Sequence, residues 1–169
     1  MGQAKDFTLS TFGLLIAFFL PGLVALYGLS FWVTSIEKIF ATFRTAQSNV
    51  GLFLLVLMAS VIISLIITPF RALLYEELIC RSGRPTASDY KKLTEEKNFD
   101  IFRSLVDETY RFHQFWGNVS FAAIPLIVHV ARQYGVVLLF LPLIVEGVVI
   151  WAAIESYRRY RDRSKELLA

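Results

Sequence analysis

The chain has 169 residues, of which 56% are hydrophobic and only 18% are charged, and its mean hydropathy is +0.56. A soluble domain carries about 25% charged residues, so this composition excludes an ordinary soluble protein and predicts a polytopic membrane protein. The net charge of +3 needs no nucleic acid partner, because the basic residues flank the apolar runs. The single cysteine, Cys80, excludes an internal disulfide and a metal site made of cysteines alone.

Four apolar runs are long enough to cross a membrane, because each reaches the roughly 30 Å of a hydrocarbon core at about 1.5 Å per residue. They cover residues 11–33, 50–70, 115–134 and 136–154. The first run is too long for a signal peptide, so we expect it to be retained as a helix. The sequence therefore predicts an all-α integral membrane protein, with one domain of four transmembrane helices that inserts in a lipid bilayer.

The distribution of lysine and arginine predicts the orientation, because cytoplasmic loops carry an excess of these residues. Fourteen of the 17 precede the first run, lie between the second and third, or follow the fourth. Only Lys38, Arg44 and Arg132 fall on the other side. We therefore expect both termini to lie in the cytoplasm.

Two short connections are predicted on the outer side. Residues 34–44 begin with a capping-box pattern, Thr34 followed by Glu37, and then place apolar side chains on one helical face. We expect a short amphipathic helix that lies in the outer headgroups. The third and fourth runs are joined almost directly at Gly135, which predicts a tight antiparallel hairpin.

A cytoplasmic helical extension is predicted over about residues 71–114. The second helix should continue past Pro69, and Ser88 or Asp89 should cap the next helix. A later helix should run unbroken into the third span with a polar stripe along one face. The stripe consists of Asp100, Arg103, Asp107, Arg111, Gln114 and Asn118. It is either a solvated face or a polar vestibule or partner surface built from several copies of the chain.

The last segment, residues 155–169, is basic and contains Tyr157 and Tyr160 between its arginines. A basic segment beside a span usually contacts anionic headgroups. We expect membrane anchoring here rather than contact with nucleic acid.

Several unusual residues fall near the middle of the predicted spans. Glu146 lies ten residues inside its run, roughly 15 Å deep, and Ser60 lies near the centre of the second span. Prolines free backbone carbonyls and predict helix breaks at the same level. The predicted break residues are Pro21, Gly22, Pro125 and Pro142.

The carboxylate of Glu146 has two interpretations. Ionised at this depth it costs at least about 2.5–3.5 kcal/mol, so it is either a neutral group bonded to Ser60 or to a freed carbonyl, or a group that handles protons or cations. His129 and Asn118 share one face of the third span, which suits a pore lining or close helix packing. Four short helices leave little room for a pore, so a pore would require a homo-oligomer.

One motif carries a resemblance to an enzyme family. The segment EELICR, from Glu76 to Arg81, is similar to the EExxxR pattern of the intramembrane CAAX-type proteases. The resemblance implies glutamates that help to activate a water, together with histidines in FxxxH and HxxxN-type motifs. Here the residue four before His129 is Pro125 and the residue four after His113 is Gly117, so both companions are missing.

The segments FLPGLVALYGLS (19–30) and YRFHQFWGN (110–118) resemble stretches of small uncharacterised bacterial multi-pass membrane proteins. That resemblance implies a bacterial inner membrane and no activity. We find no catalytic, cofactor or metal-ligand motif. The leading hypothesis is a homo-oligomer that passes or senses ions or protons through Glu146, His129, Asn118 and Ser60. The alternatives are a non-conducting structural or signalling protein that recruits a cytoplasmic partner, and an intramembrane protease.

Overall fold

The computed structural model describes residues 2–44, 50–79 and 86–168; within these ranges, side chains are described except at 2–15, 44, 96–98, 107 and 136–137. All regular secondary structure in these ranges is helical, as the sequence predicted. The helices are α1 (Gly2–Ser30), α2 (Thr34–Arg44), α3 (Val50–Arg71), α4 (Ala87–Leu93), α5 (Glu96–Leu105) and α6 (Arg111–Leu168). Two π-helical segments lie between them: Ala72–Ile79 continues α3, and Val106–Tyr110 joins α5 to α6.

Three continuous helical stretches in the described residues are long and apolar enough to cross a membrane: Val50–Ile79, Phe99–Gly135 and Leu138–Leu168. A fourth span is obtained if Ile16–Ser30 and Thr34–Phe43, which are bent by 112° relative to each other, are counted as one broken span. The sequence had extended the first span through residue 33, whereas α1 ends at Ser30. The chain thus has three to four candidate spans.

Helix α6 is a hairpin that reverses at Gly135. This residue has φ 74° and ψ 179°, a conformation that glycine adopts without the steric penalty of a Cβ. The imidazole Nδ1 of His113 lies 2.9 Å from the carbonyl of Ala153, and the rings of Tyr110 and Tyr160 are 5.0 Å apart. These contacts make the first arm (residues 111–135) antiparallel to the second arm (residues 138–168), as the sequence predicted.

Helix α1 packs closely on α3 and on the first arm through small residues. Ala17, Pro21 and Ala25, spaced four apart, are all buried. A Cβ added to Gly22 would lie 1.7 Å from the carbonyl oxygen of Ser60, so the two helix backbones are in direct contact there. Gly22 therefore allows a close helix approach.

Helix α4 begins at a cap that the sequence analysis placed too late. Thr86 is the N-cap, where Ser88 or Asp89 had been expected, and Asp89 is the third residue of a capping box. The Asp89 amide donates to the Thr86 hydroxyl (3.3 Å), and the Asp89 carboxylate accepts from the Thr86 amide (2.8 Å). The bond from the Thr86 amide is the main cause that lowers the pKa of Asp89 below its ordinary value.

The end of the second arm is part of a packed stalk. We call residues 96–110 and 154–168 the stalk, because Leu105 packs there with Tyr157 and Tyr160. Both tyrosines are buried, so the start of the predicted basic tail is a helix that packs on Leu105 of α5. Of the predicted polar stripe, Arg103 is exposed, and Arg111 and Gln114 are half-buried. The side chain of Asp107 lies outside the described residues.

Candidate functional site

The buried face of α3 and of the π-helical segment that continues it is polar from Ser60 to Tyr75. Ser60, Ser64, Thr68, Arg71 and Tyr75 are spaced four, four, three and four residues apart, which places them on one side of the helix. All but Thr68 are almost fully buried. We call Ser60, Ser64, Thr68 and Arg71, together with Asn118 of the first arm, the seam. A polar strip inside an apolar bundle requires internal partners, because buried polar groups are costly when unpaired.

The π-helical segment after α3 joins Arg71 to Glu76. In a π-helix the hydrogen bonds run from residue i to i+5, so side chains five apart lie near one another. The Arg71 guanidinium lies 2.7 Å from the Glu76 carboxylate, and the two side chains are only 2% and 7% exposed. They form a buried salt bridge at one end of the seam.

His113 of the first arm completes this arrangement. Its Nε2 lies 2.8 Å from the same guanidinium nitrogen, and its Nδ1 lies 2.9 Å from the carbonyl of Ala153. A guanidinium only donates and a carbonyl only accepts, so Nε2 accepts from Arg71 and Nδ1 carries the proton. The Glu76 carboxylate is 3.7 Å from Nε2. The geometry therefore corresponds to a neutral imidazole that already faces a carboxylate.

Tyrosines surround this group. The Tyr110 hydroxyl donates to Glu76 at 3.1 Å. We call the four residues joined by these contacts the inner cluster: Arg71, Glu76, Tyr110 and His113. The ring of Tyr157 lies 4.9 Å from the His113 ring. The ring of Tyr75 meets the His113 ring edge-on at 6.0 Å, and its hydroxyl is 2.9 Å from Ser120. The aromatic walls keep the inner cluster away from solvent.

Gly117 makes room for the arginine. A Cβ at this position would lie 2.8 Å from both Cγ and Cδ of Arg71, so the arginine side chain lies directly over the glycine backbone. A larger residue would displace the guanidinium from Glu76 and His113. Gly117 thus fixes the position of Arg71.

Asn118, next to Gly117, connects the seam to α1. Pro21 has no amide hydrogen, so the carbonyl of Ala17 lacks its usual helical donor, and the Asn118 side-chain amide lies 3.3 Å from it. The same amide nitrogen is 3.4 Å from the Thr68 hydroxyl. The freed carbonyl that the sequence predicted therefore has a side-chain partner.

The four residues of the predicted ion path lie in different places. Ser60 and Asn118 lie in the seam, and the Ser60 hydroxyl donates to the Val56 carbonyl at 2.7 Å. His129 stacks on Phe31 at 4.1 Å, near Arg132 and Trp32. Glu146 is half-buried on the less exposed face of the second arm, where its carboxylate is close enough to Tyr75 to interact with it electrostatically. Among described residues, no hydrogen bond or ion pair joins any two of the four.

The predicted helix breaks are absent. Pro21, Pro125 and Pro142 all lie inside helices. The carbonyl of Pro125 accepts a hydrogen bond from the Trp32 indole at 3.0 Å, so this turn of the first arm also contacts the segment after α1. The prolines interrupt hydrogen bonds without ending a helix.

The two glutamates of the protease-like pattern lie in different surroundings. His113 lies beside Glu76, but that carboxylate already accepts from Arg71 and Tyr110, and Glu77 is exposed.

No protein-family model, curated protein or solved structure matches this chain. Within the described part of the chain, no three His, Cys, Asp or Glu side chains are grouped to hold a metal.

The inner cluster was not predicted from the sequence. In the sequence, Arg71 adds to the cytoplasmic excess of basic residues, and His113 is followed four residues later by Gly117 and so completes no HxxxN-type motif. Glu76 belongs to the segment that is similar to the protease pattern. The spacing of Arg71 and Glu76 carries a signal only where the helix has π character, because a π-helix brings together residues five apart and an α-helix does not.

Proposed function

We propose that this chain is a protein of the inner membrane with both termini in the cytoplasm, and that it passes protons. The three to four candidate spans support membrane insertion. The placement of 14 of the 17 basic residues supports the orientation. On this assignment the stalk and the inner cluster lie toward the cytoplasmic side.

The observation that carries the proposal is the position of His113 between Arg71 and Glu76. Histidine is the side chain whose ordinary titration range includes neutral pH. The residue is completely buried, and it faces a fixed cation and a fixed anion at once. Two π-helical segments flank the site, and such segments occur frequently at functional sites.

Proton uptake at this site requires a coupled movement. The Nε2 lone pair of His113 is occupied by Arg71, so the guanidinium must turn away before a proton binds. The new imidazolium then donates to Glu76, which lies 3.7 Å away, and the carboxylate offsets the added charge. Arg71 lies at the inner end of the seam, so its movement connects the cluster to the interior of the bundle.

The seam is closed at its other end in this structure. The backbone of Gly22 lies against the carbonyl of Ser60, and the Ser60 hydroxyl is bonded within its own helix. We place the gate of the proton route at this contact between α1 and α3.

Proton flux into proteoliposomes tests the proposal. We expect wild-type protein to admit protons down an imposed gradient, and we expect His113→Gln to reduce the flux by roughly a hundredfold or more, the scale that a positioned proton-transfer group contributes. Glutamine keeps hydrogen-bonding atoms but does not titrate. The internal reporter is a pH-sensitive dye, with a potassium ionophore clamping the voltage.

His129→Gln is the matched control, because it makes the same change at the other histidine, which lies in the outer aromatic contacts. It should keep wild-type flux. Absence of flux in correctly inserted wild-type protein would refute the proposal. Loss of flux in Glu146→Gln but not in His113→Gln would instead restore the midplane carboxylate as the proton carrier.

Assembly as a homo-oligomer is part of the proposal. The apolar part of the second arm exposes large side chains along its length, among them Phe140, Leu141 and Trp151. Lipid or a second copy of the chain would cover them equally well. A single bundle of three to four helices leaves little room for a pore, and this favours an assembly of several copies.

A second candidate function is recruitment of a cytoplasmic partner, and a cleft in the stalk favours it. The cleft has a volume of about 550 Å³ and lies between α5 and the end of the second arm. Ile101, Leu105 and Leu167 supply apolar surface. Three carboxylates and one guanidinium complete the lining, from Asp100, Glu108, Glu166 and Arg163. An apolar side chain flanked by lysine or arginine on a partner fits this surface.

Charge reversal tests this second function. In cells, a photo-crosslinking residue placed at position 101 should capture a partner, and Asp100→Lys with Glu166→Lys should abolish capture. Arg103→Glu, a reversal on α5 outside the cleft, is the control and should leave capture intact. If the double reversal captures the same partner as wild type, the cleft is not the docking surface.

A further inference from the structure

Three buried side-chain atoms in and beside the seam have no hydrogen-bond partner among the described residues. They are Ser64 Oγ, Arg71 Nε and Asn118 Oδ1. Ser64 and Asn118 are completely buried, and Arg71 is 2% exposed. Orphaned polar atoms at this burial are costly, on the order of 1–3 kcal/mol each, and they indicate a bound molecule.

The three atoms lie in one neighbourhood. Asn118 contacts Thr68, whose hydroxyl donates to the carbonyl of Ser64 at 2.9 Å. Gly117, adjacent to Asn118, lies against the side chain of Arg71. Ser64 and Arg71 are seven residues apart, roughly 10 Å along the helix axis. A chain of about three water molecules would bridge that distance at roughly 2.8 Å per hydrogen bond.

The donor and acceptor properties of the three atoms indicate which kind of molecule binds them. Arg71 Nε only donates, Asn118 Oδ1 only accepts, and the Ser64 hydroxyl does both. A metal cation would leave the arginine N–H without a partner, and an anion would leave the amide oxygen without one. Water both donates and accepts, so it can serve all three atoms. We infer that a short file of ordered water molecules occupies the seam between Ser64 and Arg71.

The water file gives the seam a role. It extends the hydrogen-bonded network of the inner cluster into the bundle, because Arg71 belongs both to the inner cluster and to the seam. A proton released at His113 then passes along the water oxygens toward Ser64. This transport role rests on the function proposed above, whereas the presence of the water does not.

Water-edited solid-state NMR of the full chain in liposomes tests the inference directly. Magnetisation from water should reach the side chains of Ser64 and Asn118 quickly. Ser60 is the internal control, because it is equally buried on the same helix face and its hydroxyl is satisfied by Val56. Transfer to Ser64 and Asn118 as slow as transfer to Ser60 would overturn the inference.

The sign of a stability change gives a second test. If Ser64 binds water, Ser64→Ala removes a hydrogen bond, and the midpoint of thermal unfolding should fall by about 2–4 °C. If the seam is dry, the same change removes an orphaned hydroxyl and the midpoint rises. Ser60→Ala is the control, because it removes a hydroxyl that already has a hydrogen-bond partner, the Val56 carbonyl. A midpoint that rises specifically with sodium or with chloride would also overturn the inference, because an ion would then occupy the site.

These outcomes separate the two proposals. A dry seam in a protein that passes protons overturns the water file alone. A hydrated seam in a protein without proton flux overturns the proposed function alone.

Discussion

Replacing Arg71 by methionine should lower the free energy of unfolding by about 3–5 kcal/mol, the cost of removing one partner of a buried ion pair. Arg71 is the buried cation that faces Glu76, and both side chains are almost completely inaccessible. Without it, the carboxylate remains in a low-dielectric interior without its cation, beside the Tyr110 hydroxyl and His113. Steric trapping in lipid micelles measures the free energy of unfolding.

Two variants show whether this loss comes from the unpaired charge. Arg71→Met combined with Glu76→Met removes both charges, and we expect most of the stability to return, because apolar replacement of a buried pair is often neutral. Arg159→Met makes the same change at an exposed pair with Glu155 and should cost no more than about 0.5 kcal/mol. If Arg71→Met and Arg159→Met lowered the free energy of unfolding by the same small amount, the buried pair would contribute no more to stability than the exposed pair.

The local features of the fold could be predicted from the sequence. Gly135 between two apolar runs indicated the hairpin, and the structure gives this residue the positive φ that glycine tolerates. The amphipathic pattern of residues 34–44 likewise indicated a helix, which is present as α2. In both cases the deciding interactions lie within a few residues of chain. The composition and the hydrophobic periodicity of such a short segment therefore predict these interactions.

The inner cluster could not be predicted in this way, because it depends on a change of helical period. With α-helical spacing, Arg71 and Glu76 point about 140° apart, since each residue turns the helix by roughly 100°. The π-helical segment Ala72–Ile79 brings them together. His113 then reaches them across 42 positions of sequence, and only the packing of the first arm on α3 determines that contact.

Depth alone could not show which residues of the predicted path meet. Counting residues placed Glu146 near the level of Ser60, but two groups at one depth meet only if they face each other. Ser60 faces α1, where it meets Gly22, whereas Glu146 lies half-buried on the second arm. The rotation of each helix about its axis depends on packing, and the apolar runs carry little information on it.

The contact between Gly22 and Ser60 leads to the second large effect. In Gly22→Ala the new methyl would lie 1.7 Å from the Ser60 carbonyl oxygen, and neither backbone can move aside as a side chain can. We expect α1 and α3 to separate, at a cost of about 1–3 kcal/mol or more in the free energy of unfolding. Thermal unfolding in micelles measures the loss.

Gly147→Ala is the matched control for this change, because a Cβ at that helical position meets nothing within 4 Å. There alanine should stabilise the protein by up to roughly 1 kcal/mol through its helix propensity. The two substitutions are chemically identical, so opposite signs can only come from what surrounds each glycine. If Gly22→Ala were as stable as Gly147→Ala, the backbones of α1 and α3 would not be in contact. The gate would then have to lie elsewhere along the seam.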